Sequence, residues 1–249
     1  MKVLALEFYN NGFMTEAFAF GGSAEKESID QSKKYESSLQ NYLIDTGKEV
    51  ILVDTGVPVE TPEVDPQPGQ MIYQGKKVNN FVDALKKLGY EPKDVDKVIV
   101  THKHPDHTGE LRLFNHAKIY ISEIEADAMK LDGDNIVRVK FESGPYKNFK
   151  QSERISENLV MLPAYGHTKG NSIAVLELDG LNYMFHGDVT YTDEALRRNE
   201  LSVVLEDKDL ARETLENVRE FVKENDTVYL STHTPEALVS LKEKKIMKL

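Results

Sequence analysis

The stretch Thr101-His-Lys-His-Pro-Asp-His-Thr-Gly109 places three histidines and an aspartate within six residues, directly after the apolar run Val98–Val100. Imidazole nitrogens and carboxylate oxygens are suitable ligands for zinc, iron and similar first-row cations. Pro105 within the stretch and Gly109 at its end predict a loop and not a helix. The sequence therefore predicts a metal site in a loop that a buried strand holds at one end.

Further potential ligands occur later in the chain. His167 and His233 lie in two Gly- or Thr-flanked segments, and Asp188 lies between them. Any one of these residues alone would more often be an ordinary core or surface residue, but the complete set favours a metal centre. One tetrahedral cation cannot use so many ligands, so two cations with Asp188 as a shared ligand are the simplest arrangement. The predicted metal ligands are His102, His104, Asp106, His107, His167, Asp188 and His233.

Such a centre predicts hydrolytic chemistry. A water that bridges two cations is acidified toward neutrality and becomes a nucleophile, while the cations polarise the attacked carbonyl. The expected reaction is hydrolysis of an ester-like bond by a metal-bridging hydroxide. We expect two divalent cations, with zinc first, although imidazole and carboxylate also accept iron, manganese or cobalt.

The composition excludes several other classes of site and partner. The chain has no cysteine, which rules out disulfides, iron–sulfur clusters and thiolate zinc sites. Its 31 basic and 42 acidic residues give a net charge of −11, and the only basic cluster is Lys242–Lys245. We therefore expect a small-molecule, ester-like substrate and no nucleic acid partner. The chain becomes polar at Glu7 and has no apolar run of about 18 residues, so a cytoplasmic protein without membrane segments is expected.

Hydrophobic periodicity predicts many strands with interspersed helices. The predicted strands are Val3–Phe8, Tyr42–Ile44, Val50–Val53, Lys97–Val100, Lys118–Ile121, Leu159–Leu162, Ile173–Leu178, Tyr183–Phe185 and Thr227–Leu230. The predicted helices are Asn80–Leu88, one that begins at Ser122 with Glu125 completing a capping box, Asp209–Lys223 and a short one after Pro235. This pattern indicates a layered α+β fold, which we expect to form one domain over residues 1–249. Residues 10–40, 57–78 and 132–154 are predicted to be irregular, and the last two are candidate lids.

Four segments resemble motifs of the metallo-β-lactamase superfamily. They are His-x-His-x-Asp-His at 102–107, Gly166-His167-Thr168, Gly187-Asp188 and the terminal His233, and they occur in the order typical of the family. In addition, Val53-Asp54-Thr55-Gly56 is similar to the first motif of the family, whose aspartate is usually structural. The resemblance implies a four-layer αββα sandwich with the site on one edge between the sheets. It also implies that one cation is held by His102, His104 and His167, the other by Asp106, His107 and His233, and that Asp188 bridges them.

Tyr191, three residues after Asp188, narrows the resemblance to the N-acyl-homoserine lactonase group, which has a tyrosine at that offset. The segment Leu88-Gly89-Tyr90-Glu91-Pro92 is also similar to that group. A phenol beside two cations can donate a hydrogen bond to a substrate carbonyl or leaving group, although an ordinary half-buried tyrosine is an equally good interpretation. The resemblance implies a lactonase whose candidate catalytic residues are Asp106, Asp188 and Tyr191.

Several alternatives remain open from the sequence. The same cations would serve a thioester hydrolase similar to glyoxalase II or a phosphoester hydrolase. A metal-binding sensor without turnover, or an oxygenase with one iron similar to the persulfide dioxygenases, would also fit part of the pattern.

Three smaller features have two interpretations each. The apolar cluster Phe13, Met14, Phe18 and Phe20 is either an acyl-chain pocket or core packing. His186 either orients a metal ligand or ends a buried strand. Lys169 either contacts an anionic substrate group or is solvated.

Overall fold

Two mixed β-sheets form the centre of the computed structural model, which describes all 249 residues. The strands are β1 (Lys2–Thr15), β2 (Lys34–Asp45), β3 (Val50–Val53), β4 (Ile72–Lys77), β5 (Lys97–Val100), β6 (Lys118–Ser122), β7 (Ile136–Val139), β8 (Glu153–Ser156), β9 (Leu159–Pro163), β10 (Ser172–Leu178), β11 (Leu181–Phe185) and β12 (Thr227–Leu230). The first sheet has the order β4-β1-β2-β3-β5-β6-β7, and the second has the order β12-β11-β10-β9-β8. The first sheet is parallel from β3 to β7, and the second is parallel only between β11 and β12.

Seven α-helices accompany the sheets. They are α1 (Glu16–Phe20), α2 (Phe81–Lys87), α3 (Pro105–Thr108), α4 (Glu123–Met129), α5 (Asp193–Arg198), α6 (Lys208–Glu224) and α7 (Glu236–Glu243). None of the helices is of a length and apolarity that would let it cross a membrane.

Three apolar clusters give the layer order. Along β3, Leu52 belongs to a cluster with Leu85 of α2 and Ala126 of α4, while Ile51 and Val53 belong to a second cluster with strands of the other sheet. This alternation is the two-residue period of a strand that is buried on both faces. A third cluster lies on the far side of the second sheet and contains the apolar face of α6. The layers are therefore helix, sheet, sheet and helix, and the predicted αββα sandwich is confirmed.

The long helix α6 shows why this layer could be predicted. Asp207 caps its N-terminus by accepting hydrogen bonds from the backbone N–H groups of Asp209 and Leu210. Leu215, Val218 and Phe221 are fully buried, and their spacing forms one face of the helix. The predicted bounds, Asp209–Lys223, differ from the observed helix by one residue at each end.

The prediction that residues 10–40 are irregular is wrong. β1 continues to Thr15, α1 follows, and β2 begins at Lys34. The outer part of β1 pairs with both β2 and β4, so backbone hydrogen bonds stabilise it although its side chains are partly exposed. The stretches 57–78 and 132–154, also predicted to be irregular, contain the unpredicted strands β4 and β7 and the start of β8. Periodicity detects a buried face, and these strands have only a weak one.

Candidate metal centre

The seven predicted ligands meet at one edge of the sandwich, because each lies beyond the C-terminal end of a strand. Four lie in the segment after β5, and the other three lie after β9, β11 and β12. His102 and His107 have no solvent-exposed surface, and His167, Asp188 and His233 are almost fully buried. Only His104 and Asp106 are partly exposed, and Asp106 keeps 19% of its side chain accessible.

The prediction that residues 101–109 form no helix is wrong. Pro105–Thr108 is a single turn of α-helix, α3, and His104 is its N-cap. Proline is well suited to the first position of a helix, because the N–H that it lacks has no partner there. The backbone N–H groups of His107 and Thr108 both donate to the His104 carbonyl oxygen. This turn brings Asp106 and His107 back toward the centre.

One cluster of donors consists of three imidazole nitrogens. His102 Nε2 lies 3.1 Å from His104 Nδ1 and 3.1 Å from His167 Nε2. The distance between His104 Nδ1 and His167 Nε2 is 2.9 Å. Zinc–nitrogen bonds of 2.0–2.1 Å in a tetrahedral site would separate two ligand nitrogens by about 3.4 Å. The observed triangle therefore fits a first-row cation.

Asp188 connects this triangle to the second cluster. Its Oδ2 lies 3.3 Å from His167 Nε2 and 3.8 Å from His102 Nε2. Its Oδ1 lies 3.3 Å from both His107 Nε2 and His233 Nε2. The second cluster is completed by Asp106, whose Oδ2 lies 3.4 Å from His233 Nε2. The two oxygens of one carboxylate therefore face two separate groups of donors.

Anchoring hydrogen bonds determine which ring nitrogen points into the centre. Asp54 Oδ2 accepts from His107 Nδ1 at 2.7 Å, and the Val204 carbonyl oxygen accepts from His167 Nδ1 at 3.0 Å. Both partners are acceptors, so Nδ1 carries the proton in each ring and Nε2 faces inward. Asp54 also accepts from the backbone N–H and the hydroxyl of Thr101, each at 2.8 Å. Its φ of +67° lies in the left-handed region, which aspartate tolerates better than most residues.

Unpartnered buried atoms provide the test of whether cations fit here. Nε2 of His107, Nε2 of His233 and Oδ1 of Asp188 are buried and make no hydrogen bond. Buried polar atoms without partners are rare in folded proteins, because leaving them unpaired is costly. These three atoms face one another, and a divalent cation between them would satisfy all of them.

The charges around the centre also favour cations. Burial alone would raise the pKa of Asp188, but His233, His107 and His167 lower it well below the usual range. Burial together with neighbouring imidazoles lowers the pKa of His102 well below its usual value, and burial lowers that of His167 to about 4. His102 and His167 therefore offer neutral, unprotonated nitrogens at physiological pH, the form that binds metal.

Tyr191 lies between this centre and a cavity. Its buried hydroxyl donates a hydrogen bond of 2.9 Å to Oδ2 of Asp188. Its ring stacks on the His233 ring at 5.0 Å and meets the Phe18 ring edge-on at 4.8 Å. Burial, together with the charges of Asp188 and Asp106, raises the pKa of Tyr191 well above its usual value, so the phenol keeps its proton.

A family model described as the metallo-beta-lactamase superfamily matches residues 40–233, most of the chain. The chain belongs to this superfamily. A curated N-acyl homoserine lactonase from a Bacillus species is 25% identical over 199 residues, which cover 77% of this chain and 79% of the relative. This member is therefore a superfamily hydrolase related to N-acyl homoserine lactonases.

Solved structures share the fold of this superfamily member. An N-acyl homoserine lactone hydrolase, solved with N-hexanoyl-L-homoserine at its catalytic metal centre, superimposes with a TM-score of 0.70 at 20% identity. The likeness covers 96% of this chain and 95% of that one. AidC, a dizinc quorum-quenching lactonase, gives a TM-score of 0.68 at 16% identity and covers 94% and 87% of the two chains.

The cavity beside the centre of this superfamily member has a volume of about 440 Å³. Its lining residues are apolar or uncharged apart from the centre's own Asp106 and His233. They are Tyr9, Phe18, Thr61, Pro62, Val64, Gln70, Ile72, Tyr73, Gln74, Gly75, Tyr191 and Val204. No lysine or arginine lines the cavity, so its wall away from the centre offers no positive charge to an anionic arm of a substrate.

The apolar N-terminal cluster serves mostly as core. Met14 and Phe20 are fully buried in the small cluster that contains Tyr191, and neither of them lines the cavity. Phe18 alone of the four predicted residues lines the cavity. Two further residues of interest lie outside it. Lys169 is exposed, and His186 is a buried residue stacked on Tyr229 at 3.8 Å, with neither ring nitrogen hydrogen-bonded.

The capping box predicted at Ser122 is only half correct. The Ser122 side chain does accept from the backbone N–H of Glu125, but the Glu125 carboxylate does not return to Ser122. It is instead fully buried against the segments that carry the histidines. No local signal predicts this contact, because the residues involved lie more than 20 positions away.

Proposed function

We propose that this protein is a binuclear metal hydrolase that opens the ring of a neutral lactone, such as an N-acyl homoserine lactone. The observation that carries the proposal is the uncharged cavity that adjoins the two clusters of donors, with Tyr191 at the boundary. The relationship to N-acyl homoserine lactonases supports the same reaction.

The proposed ligands follow from the two groups of converging atoms. His102, His104 and His167 would hold one cation, Asp106, His107 and His233 would hold the other, and Asp188 would contribute one oxygen to each. Zinc is the first expectation, because the donors are imidazoles and carboxylates and a structural neighbour is dizinc. When bound, two such cations supply an acidified water as nucleophile and polarise the substrate carbonyl.

Tyr191 would act on the substrate as a hydrogen-bond donor. Its phenol remains protonated because of its raised pKa, and its hydroxyl lies at the boundary between Asp188 and the cavity. The hydroxyl has one proton, so it would exchange its hydrogen bond to Asp188 for one to the substrate as negative charge develops on the carbonyl oxygen or on the leaving alkoxide. The packing of its ring between Phe18 and His233 holds it in position.

The walls of the cavity favour a neutral substrate with an apolar arm. Phe18, Ile72 and Val204 provide apolar surface, and the amides of Gln70 and Gln74 can hydrogen-bond an uncharged polar group such as an acyl amide. A thioester with an anionic thiol portion that lies away from the two cations would bring negative charge into a part of the cavity without lysine or arginine. Transfer of an unpaired charge out of water is expensive, so such substrates should be poor.

A panel of three ester types tests the proposal. The protein loaded with two equivalents of zinc is assayed by proton release with N-hexanoyl and N-decanoyl homoserine lactones, by thiol release with an S-acyl thioester, and with bis(p-nitrophenyl) phosphate. We expect the highest kcat/KM with the lactones. A higher kcat/KM with the thioester or the phosphodiester would reject the lactone proposal and retain a metal hydrolase. Iron-dependent oxygen consumption without hydrolysis would reject the hydrolase mechanism.

A further inference from the structure

Glu125 is a fully buried acid that belongs to none of the metal-ligand motifs. Its Oε2 accepts a 2.9 Å hydrogen bond from the backbone N–H of Lys103, and its Oε1 accepts a 2.7 Å hydrogen bond from the backbone N–H of Gly170. Burying a carboxylate is costly unless hydrogen bonds compensate, and two backbone donors, one on each oxygen, provide that compensation. Glu125 therefore holds two distant segments of backbone at a fixed separation.

The two segments are those that carry the histidine triangle. Lys103 lies between His102 and His104, and Gly170 lies three residues after His167. Ser122, the N-cap of the same helix α4, donates its hydroxyl to the Gly170 carbonyl oxygen at 2.7 Å. The beginning of α4 thus contacts both segments, and it does so behind the triangle and not within it.

A second carboxylate joins the same two segments near the surface. Glu206 pairs with the Lys103 ammonium at 2.6 Å and accepts from the backbone N–H of Lys169 at 2.9 Å. About a third of its side chain is exposed, so its contacts are screened by water and should contribute less than those of Glu125. The other donor cluster has a different anchor, because Asp54 holds His107.

We propose that Glu125 is a positioning residue that sets the separation of His102 and His104 from His167, and thereby selectively strengthens metal binding by the triangle. The proposal rests on the ligand assignment of the proposed function but not on the lactone substrate. Residues that orient metal ligands from outside the coordination shell typically change metal affinity by about 10- to 100-fold.

Two single variants allow the zinc affinity of each metal site to be measured separately. His233→Ala weakens the Asp106/His107 site and leaves the triangle, and His104→Ala does the reverse. Glu125→Gln is added to each background, and zinc affinity is measured by competition with a chromophoric chelator. Glutamine has the same shape, but its NH₂ group must face one of the two backbone donors, so one hydrogen bond is lost. The control is Glu123→Gln, which changes a partly exposed acid on the same helix.

We expect Glu125→Gln to weaken zinc binding by about 10- to 100-fold in the His233→Ala background and by less than about twofold in the His104→Ala background. Glu123→Gln should change neither affinity by more than about twofold. Equal losses in both backgrounds, or no loss in either, would overturn the proposal. Cobalt(II) absorption provides a second readout, because distortion of the triangle should shift the ligand-field bands of that site alone.

Two further variants keep the test decisive if Glu125→Gln folds poorly. Glu125→Asp retains the charge with a shorter side chain and should give a loss in the same background. Glu206→Gln should weaken zinc binding by the triangle by no more than about fivefold. A Glu206→Gln loss larger than that of both Glu125 variants would overturn the proposal. If the unmodified protein binds zinc at the triangle but opens no lactone, the proposed function fails while the role of Glu125 is still tested.

Discussion

The hydroxyl of Tyr191 donates a 2.9 Å hydrogen bond to the same Asp188 oxygen, Oδ2, that faces the histidine triangle. The phenol is thus in contact with the carboxylate proposed to bridge two cations, and its ring also lines the cavity. Among the residues that line the cavity, Tyr191 and the predicted ligand His233 contact this carboxylate. Tyr191 therefore connects the candidate metal centre to the cavity.

Tyr191→Phe should lower kcat for lactone opening by about 10- to 100-fold, the effect of one hydrogen bond made in the transition state. The zinc content should stay near two per chain, because the ring can still pack between Phe18 and His233. Steady-state kinetics and elemental analysis of the same preparation measure both quantities. Tyr165→Phe, at a half-buried tyrosine outside the centre, is the control. Unchanged kinetics in Tyr191→Phe would remove Tyr191 from the mechanism.

His104→Ala should abolish lactone opening and reduce the metal content to one ion or fewer per chain. His104 Nδ1 is one of three nitrogens in the triangle and lies within 3.1 Å of the other two. His116→Ala is the matched control, because His116 is exposed and belongs to neither cluster of donors. Inductively coupled plasma analysis after dialysis gives the metal content. Full turnover in His104→Ala would refute the ligand assignment.

Asp54→Asn should disturb the second cluster through the tautomer of His107. The asparagine NH₂ group can face His107 Nδ1 only if that nitrogen loses its proton. The ring proton would then lie on Nε2, the nitrogen that faces Asp188. Metal affinity should fall by about 10- to 100-fold, with about 1–3 kcal/mol lost from the free energy of unfolding. Chelator competition and urea unfolding measure the two effects, and Asp65→Asn on the surface is the control. Wild-type affinity would show that Asp54 does not orient His107.

Asp193 predicts a pH dependence of stability. Burial, reinforced by the charge of Glu236, raises the pKa of this carboxyl to about 7, although Arg197 and Lys245 oppose the rise. The folded protein therefore holds this proton at pH values where the unfolded chain, with a pKa of about 3.9, has released it. The contribution of this carboxyl to the free energy of unfolding has its highest value below about pH 4. It decreases as the pH rises to about 7 and stays constant above that.

Asp193→Asn removes this titration. Relative to the parent protein, the free energy of unfolding of the variant should increase by about 2 to 4 kcal/mol as the pH is raised from about 4 to about 8. Urea unfolding of the metal-free proteins across this range measures the difference, and comparison of the pair cancels the titration of all other groups. A difference that does not change with pH would contradict the raised pKa.

The features that the sequence could predict are those that short segments encode. The segment 102–107 holds four donors in a pattern that is rare outside metal sites, and α6 shows its buried face directly in the spacing of Leu215, Val218 and Phe221. The apolar strands β3 and β5 are recognisable because both of their faces are buried. These elements indicate a layered α+β domain with a metal site at the end of a strand, whereas the four-layer order and the position of the site at its edge follow only from the family resemblance.

Other features depend on position within an element or on contacts between distant residues. The helical turn α3 is not predicted because proline usually breaks a helix, whereas Pro105 occupies the first helical position, where proline favours one. The Glu125 contacts with Lys103 and Gly170 span 22 and 45 positions. No local pattern distinguishes that carboxylate from one in an ordinary capping box. The cavity is similarly assembled from the first 75 residues together with Asp106, Tyr191, Val204 and His233.

We propose that two cations and a cavity without lysine or arginine make this protein a lactone hydrolase. The most direct measurement is kcat/KM for N-hexanoyl homoserine lactone, with the protein at a confirmed content of two zinc ions per chain. Our account predicts ring opening with a kcat/KM of about 10⁴ M⁻¹s⁻¹ or more, the lower range for enzymes acting on their own substrates. Two bound ions with no ring opening above the uncatalysed rate would contradict it.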